Sequence, residues 1–381
     1  MICCYNLLTP NILVMTDEEA MDDVGPYLNA DCIALIFQYL NCYELVRVST
    51  MCKLWKNVGS FTLSTISHIA IGKNSIPEEI LINILKQNNG NLKSLNLYGK
   101  SSEYNDLTEN KAKAIKDYCP NLRKLTACHN LRLTSLPTFF SNMPDLSDIC
   151  FVVTMDDDVQ QNIVFNVIMP FLKKLGIKRK QGHVVLETES SLLNFHGSLA
   201  MTPNLTHILL NGITLNTDFN RIGNSCPNLE VVKVSGCGYE RGVACFLPSL
   251  KGLNLTELDL RLFDRNQFEY RYPTEDSRID FVVDCLVDFK RLEVLNVTMN
   301  RQLTNGHVVR LITQLPHLRR IVFGLCHKVN EDLVPLLNAQ PELKDRNLHA
   351  VHMISKGTRP RVLNIVDSEI QVYFAKGSLA Q

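Results

Sequence analysis

The chain has 381 residues, and its 39 Lys and Arg residues balance its 39 Asp and Glu residues. Zero net charge gives no electrostatic reason to expect a nucleic-acid partner or an anionic membrane surface. No apolar run approaches the roughly 18 residues that a membrane span requires, so no span is predicted. The 13 cysteines include no C-x-x-C pair, which argues against a zinc ribbon or a disulfide framework and favours a reducing compartment, either the cytoplasm or the nucleus.

Residues 1–26 are predicted to form a flexible N-terminal segment. They include the acidic stretch Met15–Asp23, which has too few large apolar residues to build a packed core. Residues 1–14 are apolar but contain no Lys or Arg, which argues against a secretory signal. The folded part is therefore expected to begin near Tyr27.

Helical spacing of apolar residues runs from Tyr27 to Val58, and Asn41–Tyr43 interrupts it. This pattern predicts two or three short helices, with Asn29 as the cap of the first. So short a segment cannot bury a core alone. We therefore expect it to pack on a neighbouring part of the chain, on a partner protein, or on both.

The same segment, residues 27–60, resembles the F-box, a motif with a Leu-Pro-x-Glu/Asp turn, an apolar helix and a terminal Trp. Trp55 is the only Trp in the chain, and Asn29 stands where the family has Pro. The resemblance implies docking on a Skp-type adaptor, which joins a cullin scaffold and a RING subunit. The residues at matching positions are the predicted adaptor-binding residues: Leu28, Asp31, Ile33, Ile36, Leu40, Leu45, Val48 and Trp55.

An internal repeat occupies residues 61–345. Each unit has apolar residues at its first, fourth and sixth positions, although the last unit, at Leu343, is degenerate. Helix-like runs such as Glu109–Cys119, Asp280–Phe289 and Glu331–Asn338 separate the units. One strand-plus-helix unit cannot bury its apolar side alone, so such units stack into a continuous core. The first positions are Ile66, Leu92, Leu122, Leu146, Leu172, Leu205, Leu229, Leu255, Leu292, Leu318 and Leu343.

These units resemble leucine-rich repeats of the cysteine-containing subtype. The resemblance implies an α/β fold: a solenoid of about ten to eleven repeats, with parallel strands on the concave face and helices on the convex face. A small all-α F-box bundle precedes the solenoid, and residues 346–381 are predicted to hold a degenerate last repeat and a C-terminal cap.

An F-box directly ahead of leucine-rich repeats is the arrangement of one known class. It implies the substrate-recognition subunit of a cullin-RING (SCF-type) E3 ubiquitin ligase, whose repeats bind a protein substrate. The alternative is a non-catalytic interaction scaffold whose N-terminal helices only cap the solenoid, because solenoids need such caps.

Side chains that alternate outward along the strands are predicted to line the concave, substrate-binding face. Lys174 and Lys178 together with Lys233 would suit an acidic or phosphorylated segment. Acidic residues further along the face would complement a basic one. The predicted residues are Lys124, Asp148, Lys174, Lys178, His207, Lys233, Glu257, Asp259, Arg261 and Arg320.

No arrangement of residues indicates catalysis. The sequence has neither a P-loop nor an H-E-x-x-H motif, and Gly236–Gly242 has one residue too many for a dinucleotide fingerprint. No His or acidic residue is tied by its spacing to a cysteine. We therefore predict no catalytic residue, no metal site and no cofactor, and hence a protein that is not an enzyme.

Overall fold

The computed structural model divides the chain into two compact units, Met1–Thr62 and Leu63–Gln381. The predicted flexible segment 1–26 lies outside the described residues. The structure describes residues 28–71, 76–98, 107–130, 143–154, 163–164, 171–179, 192–194, 202–212, 214–215, 221–235, 238–239, 246–261, 276–298, 300, 302–324, 326, 328–343, 349–353, 360–364 and 371–375.

Short helices build the first unit, as the apolar spacing predicts. They are α1 (Ala30–Phe37), α2 (Cys42–Val48) and α3 (Lys53–Thr65), whose last residues extend into the second unit. The Asn29 side chain accepts a hydrogen bond of 2.8 Å from the Cys32 amide, which confirms the predicted cap. Asn41 and Glu44 form a reciprocal capping box at the start of α2.

The second unit contains helices α4 (Glu78–Asn88), α5 (Glu109–Tyr118), α6 (Ile222–Ser225), α7 (Asp276–Leu286), α8 (Asn305–Gln314) and α9 (Leu333–Asn338). Single 3-10 turns form at Leu247–Leu250 and Pro341–Leu343. Helix α5 matches its predicted run. Helix α7 begins and ends a few residues earlier than predicted, because Phe289 already belongs to the turn before the next strand.

The strands are β1 (His68–Ala70), β2 (Ser94–Asn96), β3 (Lys124–Asn130), β4 (Asp148–Thr154), β5 (Ile163–Val164), β6 (Lys174–Arg179), β7 (Leu192–Asn194), β8 (His207–Asn211), β9 (Thr214–Leu215), β10 (Val231–Ser235), β11 (Gly238–Tyr239), β12 (Glu257–Asp259), β13 (Val294–Asn296), β14 (Arg320–Val322), β15 (His349–Met353), β16 (Pro360–Asn364) and β17 (Gln371–Ala375).

The main sheet has the order β1-β2-β3-β4-β6-β8-β10-β12-β13-β14-β15-β17-β16, and its strands from β1 to β14 come from successive repeats. Every pair in it is parallel except the last, in which β16 runs antiparallel to β17. The short strands β5, β7, β9 and β11 form a second parallel sheet, so the middle repeats follow their main strand with another strand. Parallel neighbours one repeat apart are the geometry of a solenoid.

The core follows the first, fourth and sixth positions of the repeat. In the unit that begins at Leu229, the side chains of Leu229, Val232 and Val234 are fully buried, and the units that begin at Leu92 through Leu318 show the same pattern, whereas Ile66 of the first unit is only partly buried. Helical residues such as Leu81 and Ile115 are equally buried. The predicted inward-facing frame is therefore confirmed.

The same hydrogen bonds join each repeat to the next. At the entrance to each strand one carbonyl accepts two amides, as when the Thr206 oxygen accepts from Glu230 at 2.9 Å and from Val231 at 3.0 Å. Asn228, which precedes an anchor Leu, donates from its side chain to the Pro203 oxygen of the repeat before it, at 3.1 Å. These bonds satisfy backbone amides and carbonyls in the turns that would otherwise lack a hydrogen-bond partner.

No helix within the described residues has both the length and the apolar character needed to cross a membrane.

Candidate functional site

The helical unit presents a large apolar surface to solvent. Of the eleven large apolar side chains that are exposed in the described part of the chain, seven lie in residues 28–61. Exposed apolar residues concentrated in so short a segment mark an interaction surface rather than scattered surface residues. We name this set the apolar surface: Leu28, Leu35, Ile36, Tyr39, Met51, Leu54 and Phe61.

The structure separates the predicted adaptor-binding residues into three groups by exposure. Leu28 and Ile36 are about half exposed, at 49% and 48%, and Asp31 is exposed as well. Ile33 and Leu45 are buried, at 2% and 0%, so their side chains belong to the core and support the surface from beneath. The residues of intermediate exposure are Leu40, Val48 and Trp55.

Two close contacts fix the arrangement of the three helices. The Trp55 ring meets the Phe37 ring edge to face, with centroids 5.6 Å apart. Gly59 of α3 lies against Ser49, whose Oγ would stand only 1.9 Å from a Cβ at Gly59. The Ser49 hydroxyl donates to the Leu45 oxygen at 2.6 Å. A small residue at 59 is therefore required for this packing.

Sequence reasoning missed five members of the apolar surface. Helix α1 is apolar except for Asp31, so its periodicity does not show whether Ile33 or Leu35 faces inward. The excess of apolar residues in this short segment could have indicated that more of them are exposed, because a short helix cannot bury all of them. The missed residues are Leu35, Tyr39, Met51, Leu54 and Phe61.

The second candidate surface is the face of the main sheet opposite the buried frame, which we name the open face. Strand register places Lys124, Asp148, Lys174 and His207 in one row across four neighbouring strands. Farther along the sheet the same row contains Glu257 and Arg320. The next row holds Lys233 beside Asp259. The structure thus brings the predicted residues onto one face, and their role in binding stays a prediction.

Ion pairs neutralise several charges of the open face. Lys124 Nζ lies 3.2 Å from Asp148 Oδ2, and Lys233 Nζ lies 2.7 Å from Glu257 Oε1. Both pairs join neighbouring strands and are partly exposed, so each stabilises the fold only weakly. The predicted group of three lysines therefore loses Lys233, whose charge Glu257 balances.

Asp259 was predicted to line the binding face, but it is buried, and its carboxylate accepts hydrogen bonds from Arg261. The backbone amide of Arg261 donates to Asp259 Oδ1 at 3.1 Å, and the Arg261 Nη2 donates to Oδ2 at 2.8 Å. The carboxylate thus closes the turn after β12. Asp259 is not available to a ligand, and Arg261 lies half exposed above it.

Lys174 and Lys178 have a different environment. Both are exposed, and neither takes part in an ion pair between described residues. Next to them, burial lowers the pKa of His207, and the positive charge of Lys174 lowers it further. The imidazole is therefore neutral at pH 7, and the positive charge here comes from lysine.

A groove of about 730 Å³ follows the edge at which strands β3 to β12 begin. Arg123 and Lys173 line it together with Asp145 and Glu230, and Phe171 is exposed there. Its charges balance, so it shows no preference for an anion or a cation. Among the described residues no group of three His, Cys, Asp or Glu could hold a metal ion.

The repeats, the parallel sheet and the buried frame define the second unit as a leucine-rich-repeat solenoid of the α/β class. The solved structures that are similar to the chain include the following two. A chain of the crystal structure of the Rad7 and Elc1 complex in yeast is 14% identical, with a TM-score of 0.49, and the match covers 80% of this chain and 75% of that one. Internalin C2 from Listeria monocytogenes is 16% identical, with a TM-score of 0.31, and covers 59% and 96%.

The helical unit is an F-box domain, since the model of that domain matches residues 27–61. No curated protein matches the chain in sequence. The chain thus carries an F-box domain followed by leucine-rich repeats.

Proposed function

We propose that this chain is the substrate-recognition subunit of a cullin-RING (SCF-type) E3 ubiquitin ligase. The F-box domain docks on a Skp-type adaptor, which links the chain to the cullin and RING subunits. The repeats hold a protein substrate on the open face. The chain itself is a non-catalytic receptor and acts in the cytoplasm or the nucleus.

The apolar surface of the F-box domain is the observation that carries this proposal. Tyr39 is 90% exposed, and Leu35 and Phe61 are more than half exposed. Leaving such side chains in water forgoes roughly 1.5–3 kcal/mol for each one that could be buried. A protein partner that covers them recovers this free energy.

A scaffold whose helices only cap the solenoid is the second candidate. A cap needs apolar residues on one side and a polar outer face. The described F-box helices instead bury Ile33 and Phe37 on one side of α1 and expose Leu35 and Ile36 on another. This two-sided distribution favours docking.

The proposal is tested by co-purifying the full chain with a Skp-type adaptor and a cullin. Ile36→Asp and Leu28→Asp place a charge on the apolar surface, so we expect each to weaken adaptor capture about tenfold or more. Leu336→Asp is the matched control, because Leu336 is 43% exposed on α9, far along the sequence. It should leave capture unchanged.

Stability measurements make the outcome interpretable. The three variants should unfold at the same urea concentration as the unmodified chain, because each replaced side chain is already exposed. If the unmodified chain captures neither adaptor nor cullin, the scaffold is the better account.

We also assign the repeats to the cysteine-containing subtype. Cys119 and Cys226 take equivalent buried positions three residues before an anchor Leu. Cys326 occupies the ninth position of its unit and directs its sulfur to the Val297 oxygen, 3.5 Å away. Thiols thus fill small sites in the turns of the solenoid.

A further inference from the structure

Strand β6 of the open face carries two positive charges on one strand that no described carboxylate balances. Asp148 is the register neighbour of Lys174, but its carboxylate pairs with Lys124 on the other side. Val152 and Asn211, both uncharged, flank Lys178. Strand β6 therefore presents two cations between neighbours whose charges are already satisfied or absent.

The three residues between these lysines, Leu175, Gly176 and Ile177, carry no charge. Lys174 and Lys178 are four residues apart on one strand, so they face the same side with Cα atoms about 13 Å apart. Gly176 lies between them and has no side chain. The sulfur of Cys150 takes the space instead, 2.9 Å from where a Cβ of Gly176 would stand. Gly176 therefore places no side chain between the two lysines.

We propose that strand β6 binds an extended acidic segment of the substrate, whose anionic groups pair with Lys174 and Lys178. The inference rests on the proposed function, since the segment belongs to the protein that the repeats hold. The recognised chemistry is an anionic oxygen group, either a carboxylate or a phosphate, at two positions four residues apart. Lysine ammonium groups bind both kinds of anion.

Charge distribution favours a peptide over a nucleic acid. The positive strip is about one strand wide, roughly 5 Å, and Asp148 lies directly beside it. A nucleic acid would carry further phosphates past this carboxylate and toward Glu257. A peptide with two separated anions would not.

The test uses the full chain and a bead-bound library of nonapeptides with two fixed positions four residues apart. The fixed pair is phosphoserine, Glu, Ser or Lys, and the other positions are randomised. We expect the phosphoserine and Glu libraries to retain the protein, and Lys174→Ala with Lys178→Ala to weaken retention about tenfold. Preference for phosphoserine over Glu identifies a phosphorylated segment, and equal retention identifies an acidic one.

The matched control is Lys93→Ala with Lys113→Ala, which removes two exposed lysines elsewhere on the repeats and should leave retention unchanged. The inference is overturned if the Ser library retains the protein equally well. It is also overturned if an oligouridine competes for the lysines more strongly than the anionic peptides do.

Adaptor capture is measured on the same preparations. Loss of peptide retention with capture intact contradicts only this inference. Intact retention without capture contradicts the proposed function instead.

Discussion

At the scale of single residues, Gly223 marks a position where two backbone segments are in close contact. A Cβ at Gly223 in α6 would stand 1.6 Å from the Ser249 oxygen of the following turn. A backbone oxygen cannot move aside as a flexible side chain can. Gly306 in α8 has no such neighbour, since its nearest atom would be 3.8 Å away.

Gly223→Ala and Gly306→Ala should therefore act in opposite directions. We expect the first to lower the free energy of unfolding by roughly 1–3 kcal/mol, because the two turns must separate. The second should raise it by about 0.5 kcal/mol, because Ala restricts the unfolded chain. Urea unfolding of both variants checks this, and equal shifts would contradict the close contact at Gly223.

Buried thiols predict a dependence of stability on pH. Burial raises the pKa of Cys119 to about 12 and that of Cys226 to about 11, from a reference value of 9.0. Above pH 9 the unfolded chain releases these protons while the folded chain keeps them. Stability from these groups is therefore fully present below pH 9 and is lost as the pH rises above it.

At pH 10 each thiol should cost about 1 kcal/mol of stability relative to pH 8. The unmodified chain should lose about 2 kcal/mol more over this range than a variant with Cys119→Ala and Cys226→Ala. Urea midpoints at the two pH values measure the difference. Parallel losses would show that other groups account for the pH dependence.

At the scale of elements, the F-box helices are short and depend on their caps. Asn41 accepts hydrogen bonds of 3.0 Å from the amides of Tyr43 and Glu44, and the Glu44 side chain accepts one from the Asn41 amide. A helix of seven residues has little stability of its own. Its cap should therefore contribute measurably to the stability of the domain.

Asn41→Ala should lower the free energy of unfolding of the F-box domain by about 1 kcal/mol. The fluorescence of Trp55 reports on this domain alone, because it is the only Trp and packs on Phe37. Asn57→Ala, at an exposed site within α3, is the control and should not destabilise. An unchanged midpoint for Asn41→Ala would indicate that tertiary packing alone holds α2.

At the scale of the whole molecule, the main sheet is a row of strands that each contact only their neighbours. Its C-terminal end departs from this order, because β17 inserts between β15 and β16 and the last pair is antiparallel. Solenoids need a terminal element that protects the final strand. We propose that strands β17 and β16 form this element, as the predicted C-terminal cap.

Removing residues 358–381 should expose the edge of β15 and cause the protein to associate. An unpaired edge of parallel strand offers hydrogen-bonding groups to a second chain. Removing only residues 376–381, which follow β17, should leave the protein unchanged. Size-exclusion chromatography at several concentrations separates the two results, and a monodisperse 358–381 deletion would contradict this role.

The sequence alone determined the repeat, its core and the order of the two domains. Each unit is buried only by its neighbours, so positions one, four and six carry apolar residues in successive units. This pattern lies within a short stretch of sequence, and it can be recognised without knowledge of the tertiary structure. The F-box helices and the cap at Asn29 could be predicted for the same reason, since capping depends on neighbours a few residues away. The capping box at Asn41 was identified only in the structure.

Tertiary structure alone decided which functional residues remain available. Ile33 and Ile36 look alike in a predominantly apolar helix, and only packing shows that the first is buried and the second exposed. In the sequence, Lys233 and Lys178 are both outward-facing lysines on predicted strands. Only the structure shows that Glu257 forms an ion pair with Lys233. Exposure and ion pairing depend on contacts between residues far apart in sequence, which a local pattern does not specify.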